Sequence, residues 1–163
     1  MDEQRCGMCG GPVDAHDRQI RFRLPEPVLD SPGQERVPGA WLSHESPEAS
    51  VMMQVPGVGP FVRALLVVRL TGGYAVTYGV WVGVHPSDLQ RVFRVWWAPE
   101  YENLRLDGAL ANSVPPRGLL AAPVSLAVKD PDHMPYCVSS PHPMLSRVLG
   151  EERPHNDVLE TLP

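Results

Sequence analysis

The chain has 163 residues, of which 43% are hydrophobic, and its formal net charge is −5. This length suits a single domain with a sizeable core, and no apolar run approaches the roughly 20 residues that a membrane-spanning helix needs. The acidic balance excludes the basic surface on which nonspecific nucleic-acid binding depends, so we expect neither a nucleic acid nor a membrane as partner.

At its N-terminus the chain is polar and lacks the apolar segment of a secretion signal. Three cysteines, an odd number, also do not suit a secreted disulfide framework. We therefore expect a cytosolic protein. Its oligomeric state does not follow from the sequence.

The first chemical motif is RCGMCGG, in which two residues separate Cys6 from Cys9. The glycines that follow permit the tight turn of a zinc knuckle, but a structural zinc ion needs four ligands and the sequence holds no second C-x-x-C. His16 is the nearest further donor, so the candidate zinc ligands are Cys6, Cys9 and His16. A redox pair is disfavoured because glycines and Pro12 oppose the helix that would lower a thiol pKa. A disordered, reduced N-terminus is the remaining alternative.

Proline is unusually frequent in this chain, with 19 residues. The stretch 25–50 mixes Pro, Gly, Ser and Glu and opposes both a regular helix and a central strand, because proline lacks a backbone donor. We predict an irregular segment there, either partly mobile or an ordered long loop. This divides the chain into an N-terminal Cys-containing knuckle at 1–24, the Pro-rich segment at 25–50 and a core domain at 51–163.

Two strands joined by a glycine turn are predicted near the start of the core. The runs 60–70 and 74–84 are rich in β-branched and aromatic residues, and Gly72-Gly73 lies between them. A two-residue turn at these glycines would place Ala64 opposite Trp81. Both faces of the hairpin carry apolar side chains, so we expect both to be covered.

Two residues of this hairpin are candidates for a binding surface. Trp81 is favoured as a packed core side chain, and the alternative is a ring that stacks on a ligand. Arg63 and Arg69 share one face of the first strand. They either receive an anionic group or extend to the edge of the sheet.

The clearest helix is predicted within the sequence PSDLQRVFRVWWAP, residues 86–99. Ser87 serves as N-cap, Gln90 completes a capping box, and Pro99 ends the helix. The apolar stripe expected to pack on the hairpin consists of Leu89, Val92, Phe93 and Trp96. Trp97 lies beside this stripe and is expected to be half buried, either as packing or as an interface anchor.

The second half predicts more sheet and a further short helix. The runs 119–129 and 134–140 read as strands on either side of a DPDH turn. A short helix starts at Pro143, and His142 before it is better explained as a cap or a solvent-facing side chain than as a catalytic group. Cys137 lies in an apolar strand and is expected to be an inert buried thiol.

Together these patterns predict an α+β fold. Strands and hairpins dominate, and a strand–helix–strand alternation typical of parallel sheets is missing from the sequence. We expect a mostly antiparallel sheet packed by one main amphipathic helix, with the irregular Cys-containing knuckle at its N-terminus.

Several short motifs occur along the chain in a specific combination. They are Cys6, Cys9 and Gly10, then Phe61-Val62-Arg63, Tyr78-Gly79-Val80-Trp81-Val82, Phe93 and Trp96, GALANSVP at 108–115, and His142-Pro143. In this combination the chain resembles an uncharacterised bacterial family, domain-of-unknown-function family 2199. It departs from the family pattern at Met134-Pro135 and Ser139, where we would expect an Arg-Pro pair and an acidic residue. The resemblance implies a fold and no established activity.

Two functional hypotheses follow. In the first, the protein is a non-catalytic binding or regulatory module that presents an aromatic surface to a protein partner, with a zinc-stabilised knuckle. The candidate surface residues are Trp81, Trp97, Arg63 and His142. The sequence holds no nucleotide-binding or hydrolase motif and no acid–base constellation, which favours this hypothesis.

In the second hypothesis, the protein is a small enzyme. Its pocket would lie near Trp81, and His142 or a metal held by Cys6 and Cys9 would act on a small molecule. This requires a deep cavity with convergent polar groups beside the indole. A filled core at Trp81 would count against it.

Overall fold

The computed structural model describes residues 19–71, 74–114 and 119–153. The strands are β1 (Gln19–Arg21), β2 (Trp41–Leu42), β3 (Met52–Val55), β4 (Gly59–Leu70), β5 (Tyr74–Gly83), β6 (Arg105–Leu110), β7 (Pro123–Ala127) and β8 (Tyr136–Ser139). The helices are α1 (Glu26–Leu29), α2 (Pro86–Val95) and α3 (Pro143–Gly150), with 3₁₀ turns at Gln34–Arg36 and Pro99–Asn103.

Five of the strands close into a small barrel. Strands β4 to β8 pair in sequence order as antiparallel neighbours, and β8 returns to pair with β4 in parallel at Leu65 and Tyr136. Alternate side chains of each strand point inward, so the interior is filled by apolar residues. From β4 and β5 these are Val62, Ala64, Leu66, Val68, Leu70, Val76, Tyr78, Val80 and Val82.

A second, smaller core lies outside the barrel. It is formed by Leu24, Val28, Met53, Val55, Phe61, Trp81 and Ala111. Strand β3 pairs with β4, β2 pairs with β3, and the chain around α1 packs against the outer face of β5. The Pro-rich stretch 25–50 consists of short elements, namely α1, the 3₁₀ turn at Gln34–Arg36 and β2, with turns between them, and it contributes the buried Val28 to this core.

The register of the β4–β5 hairpin differs from the predicted one. Leu70 pairs with Tyr74, so three residues connect the strands instead of the two glycines, and Ala64 lies opposite Val80 rather than Trp81. Cross-strand partners point to the same face, and the observed register pairs barrel-lining residues with one another. The predicted register would have paired inward residues with outward ones.

Helix α2 begins earlier and ends sooner than predicted. Its N-cap is His85, whose Nδ1 accepts a hydrogen bond from the Ser87 backbone N–H, so Ser87 is not the cap. Proline is favoured at the first helical position, and the helix therefore starts at Pro86, before Ser87. The helix ends at Val95, and Pro99 opens the following 3₁₀ turn.

The apolar stripe of α2 is narrower than predicted. Leu89 and Val92 are buried in the barrel core and Trp96 packs on it, but Phe93 is 60% exposed. Leu89 and Val92 face this core, whereas Phe93 contacts Trp41 on β2, so the barrel does not cover the side of α2 that carries Phe93.

The architecture agrees with the coarser prediction, a protein of mixed α and β structure. The finer expectation of one main helix packed on a mostly antiparallel sheet is not confirmed: the described residues form three helices, and the strands close into a barrel that includes parallel pairings at β1–β5 and β4–β8. Helix α3 packs on β4 and β8, while α2 packs on β4. None of the helices in the described part of the chain is long and apolar enough to cross a membrane.

Candidate functional site

Arg63 and Trp81 face each other across the two central strands. They are direct partners in the β4–β5 register and point to the outer face of the barrel, where the smaller core covers them. Both side chains are 0% exposed, and the guanidinium carbon of Arg63 lies 4.2 Å from the centroid of the indole ring. This is the geometry of a desolvated cation–π pair.

Backbone carbonyls satisfy the buried guanidinium. Its Nε donates to the Ser50 carbonyl at 2.9 Å and its Nη2 to Pro47 at 2.9 Å, while Nη1 donates to Phe22 at 2.7 Å and Gly79 at 3.0 Å. None of these four acceptors is a carboxylate. Burial, together with the nearby charge of Arg21, lowers the pKa of Arg63 to about 9.

Asn112 and Trp81 continue this polar network. The Asn112 Oδ1 accepts from the Trp81 backbone N–H at 2.7 Å, and its Nδ2 donates to the Leu24 carbonyl at 2.9 Å. The Trp81 indole N–H donates to the Arg23 carbonyl at 3.3 Å. The three side chains therefore fasten the segment before α1 and the loop before β3 to the barrel.

The structure leaves neither Arg63 nor Trp81 a surface for a ligand. The packed-core interpretation of Trp81 is confirmed by its burial. The enzyme hypothesis that places a pocket beside this indole loses support, because protein groups occupy the ring face and the ring N–H.

The other candidates are dispersed. His142 is the N-cap of α3: its Nδ1 accepts from the backbone N–H groups of Met144 and Leu145, as the capping interpretation predicted. Cys137 is a buried free thiol, and burial raises its pKa to about 12, which fits an inert thiol. Trp97 is 85% exposed rather than half buried.

The predicted zinc ligands Cys6, Cys9 and His16 lie outside the described residues. Within residues 19–71, 74–114 and 119–153, no group of three or more His, Cys, Asp or Glu side chains could hold a metal ion. The zinc knuckle accordingly stays a prediction from sequence.

An aromatic groove of about 620 Å³ lies between α2 and the β2–β3 ribbon. Trp41, 38% exposed, and Phe93 form an edge-to-face pair in it with ring centroids 5.8 Å apart. Trp41 pairs with Gln54 across β2 and β3, and Gln54 lines the groove as well. Leu89, Gln90 and Arg94 complete the lining, and we call this the Trp41–Phe93 groove.

The polar lining of this groove includes two amide side chains and one guanidinium. Arg94 is its only charged lining residue among those described, and in the same part of the chain no carboxylate lies within ion-pair distance of Arg94. By contrast, Arg91 on the same helix is held by Asp88 at 3.5 Å and by the Arg105 carbonyl at 2.6 Å. Arg94 thus leaves an unneutralised positive charge beside exposed aromatic rings.

Sequence reasoning missed Trp41 and the exposure of Phe93. Trp41 is the single Trp, Tyr or Phe residue in the Pro-rich stretch 25–50, and that contrast was the available signal. Phe93 occupies a helical position compatible with the core stripe, so only the packing of α2 on the barrel reveals its exposure.

Comparison with known proteins identifies a family and no activity. No curated protein and no solved structure matches the chain. Residues 5–148 match the family described as "Uncharacterized protein conserved in bacteria (DUF2199)". This matched range includes the buried network of Arg63, Trp81 and Asn112 and both rings of the Trp41–Phe93 groove. The chain therefore belongs to this family of uncharacterised bacterial proteins.

Proposed function

We propose that this protein is a non-catalytic binding module and that the Trp41–Phe93 groove receives a segment of a partner protein. The observation that carries the proposal is the pair of large aromatic side chains left exposed and in contact with each other on the rim of one groove. Exposed aromatic residues that line a concave surface are typical anchors of protein–protein interfaces.

The charge of the groove specifies the partner further. Arg94 supplies an unneutralised guanidinium, and Gln54 and Gln90 supply amide groups on opposite walls. A segment with an aliphatic or aromatic anchor close to an Asp or Glu side chain matches this combination, because the anchor packs against the two aromatic rings and the carboxylate pairs with Arg94.

Differential peptide selection tests the proposal. Random short peptides displayed on phage are selected on the wild-type protein and counter-selected on Phe93→Ala. We expect enriched sequences that place an aliphatic or aromatic residue near an acidic one, and synthetic versions should bind Phe93→Ala and Arg94→Glu about tenfold more weakly.

Matched variants on other helices control for general effects. Leu29→Ala removes a similarly exposed apolar side chain from α1, and Arg147→Glu reverses an exposed charge on α3; both should bind like the wild type. Failure to enrich any peptide, or binding retained in Phe93→Ala, would show that the groove is not the site. Concentration-dependent dimers abolished by Phe93→Arg would instead assign the groove to a second copy of this chain.

A further inference from the structure

We infer that a cavity at the C-terminal end of α2 binds a small organic cation that carries an alkylated ammonium group. The cavity measures about 560 Å³ and its walls include Trp96, Trp97, Tyr101, Glu102, Asp132 and His133. It shares no lining residue with the Trp41–Phe93 groove, so this inference does not rest on the proposed function.

The aromatic walls present ring faces in different directions. The indoles of Trp96 and Trp97 stand at 81° to each other with centroids 6.5 Å apart, and the Tyr101 ring is 5.0 Å from Trp96. The face of an aromatic ring is negative and attracts a cation within about 6 Å of its centroid. The two indole rings are nearly perpendicular, so their faces are directed along two different directions.

The charged groups of the cavity have the complementary sign. Glu102 and Asp132 are exposed carboxylates, and no described residue neutralises either of them in an ion pair. His133 is the only basic lining residue among those described, and its Nδ1 lies 3.8 Å from an oxygen of Asp130. Because Trp96 is the C-cap of α2, the negative end of the helix dipole also lies at this cavity.

Hydrogen bonds hold the two sides of the cavity together. The Tyr101 hydroxyl donates to the His133 carbonyl at 2.5 Å, which ties the 3₁₀ turn at 99–103 to the turn at 130–133. In that second turn the backbone N–H of Asp132 donates to Asp130 Oδ1 at 2.9 Å. The carboxylate of Asp132 and the aromatic wall thus lie on segments joined before a ligand arrives, which reduces the entropy lost on binding.

These features together select the class of ligand. A metal ion would need a cluster of oxygen or nitrogen donors, and the described residues provide no such cluster here. An ammonium with methyl or methylene groups gains from both halves of the cavity, because its carbons contact the indoles while its charge is balanced by the carboxylates. Such a group occurs on free amines and on methylated lysine side chains.

Titration with choline and its neutral carbon isostere, 3,3-dimethylbutan-1-ol, tests the inference. Binding is followed by the indole N–H signals of Trp96 and Trp97 in NMR spectra. We expect saturable shifts with choline. The affinity for the isostere should be lower by about tenfold or more, because the two molecules differ only in charge. A trimethyllysine peptide forms the second arm: tighter binding than choline indicates a protein side chain as the source, and weaker binding a free amine.

Variants locate the site. Trp97→Ala and Glu102→Gln should each weaken choline binding several-fold, whereas Trp41→Ala and Glu100→Gln, which change an aromatic and an acidic residue outside the cavity, should not. The inference fails if choline gives no saturable shift, if the isostere binds equally well, or if the Trp97 and Glu102 variants bind like the wild type. None of these outcomes bears on peptide binding in the Trp41–Phe93 groove, so the two proposals are tested separately.

Discussion

At the scale of single residues, the segment GALANSVP has a structural explanation. Leu110 lies in the barrel core, and Asn112 joins Trp81 to Leu24 through buried hydrogen bonds. Gly108 on β6 lies close to β5, and a Cβ there would collide with the Gly83 carbonyl oxygen and lie 2.6 Å from Val82 Cγ1. Packing or hydrogen bonding therefore accounts for each of these three residue types.

Gly108→Ala should destabilise the protein by about 1–3 kcal/mol, because backbone and a β-branched side chain must move to admit one methyl group. Urea unfolding followed by tryptophan fluorescence measures the change in the free energy of unfolding. Gly150→Ala is the matched control, since a Cβ at Gly150 meets no atom within 4 Å. Equal stability of the two variants would contradict the close approach.

The three cysteines should differ in reactivity towards a thiol reagent at pH 8. Burial raises the pKa of Cys137 to about 12, so this thiol should react only after unfolding. If zinc is bound by Cys6 and Cys9, native protein should show no reactive thiol under anaerobic conditions, and a chelator should release two. Two thiols that react without chelator would refute the zinc prediction.

The same thiol also makes stability depend on pH. Its pKa is raised on folding from 9.0 to about 12, so the unfolded chain releases the proton first as the pH rises. The contribution of Cys137 to stability is fully present below pH 9 and is lost progressively above it. A Cys137→Ala variant should therefore show a smaller loss of stability between pH 8 and pH 10 than the wild type.

At the scale of elements, α2 and α3 begin in the same way. Each is preceded by a His-Pro pair in which proline takes the first helical position and the histidine Nδ1 accepts from backbone N–H groups of the first turn. Histidine thus replaces the Ser, Thr, Asp or Asn that commonly caps a helix. Since Nδ1 must be an acceptor, the capping ring carries its proton on Nε2.

His85→Ala and His142→Ala should each lower the free energy of unfolding by about 1 kcal/mol, because unpaired N–H groups appear at a helix start. His85→Asn and His142→Asn should restore most of the loss, since the amide oxygen can cap. His44→Ala is the control, as this exposed ring forms a hydrogen bond with the Ser43 hydroxyl and does not lie at a helix start. Chemical denaturation measures the free energy of unfolding of each variant. Losses of stability no larger than that of His44→Ala would argue against capping.

At the scale of the whole molecule, one buried side chain links three parts of the chain. Arg63 lies on β4, and its guanidinium binds carbonyls before α1, before β3 and on β5. The smaller core depends on these bonds, because they hold two connecting segments against the outer face of the barrel. The cation–π contact with Trp81 adds to this attachment.

Arg63→Leu should cost about 3–5 kcal/mol, because four carbonyls lose their donor in a buried site. Arg63→Lys should be intermediate, since a single ammonium cannot span all four acceptors. Arg69→Leu changes an exposed arginine on the same strand and should cost only about 1 kcal/mol. Urea unfolding measures all three variants.

Hydrogen exchange adds a local test of the same attachment. In Arg63→Lys the amides of Glu26 and Val28 should exchange faster relative to those of α3, because the segment around α1 opens before the barrel does. Uniform acceleration across the protein would show that Arg63 does not act locally.

The sequence alone determined the elements whose patterns are local. The strands near 60–70 and 74–84, the helix beginning near Pro86 and the cap at His142 follow from the chemistry of adjacent residues, namely β-branched runs, helical spacing and proline at a helix start. The burial of Trp81 and Cys137 was also predictable, because each lies within an apolar strand.

Only the tertiary structure decided the rest. Closure of the barrel, the hairpin register, the exposure of Phe93 and the burial of Arg63 depend on which distant segments meet. Arg63, for example, binds the carbonyl of Phe22, 41 residues away. Local periodicity shows that a strand has two faces, but what covers each face is set by segments far along the chain. The Trp41–Phe93 groove arises in the same way, because the Pro-rich segment places Trp41 beside α2, where the barrel does not cover Phe93.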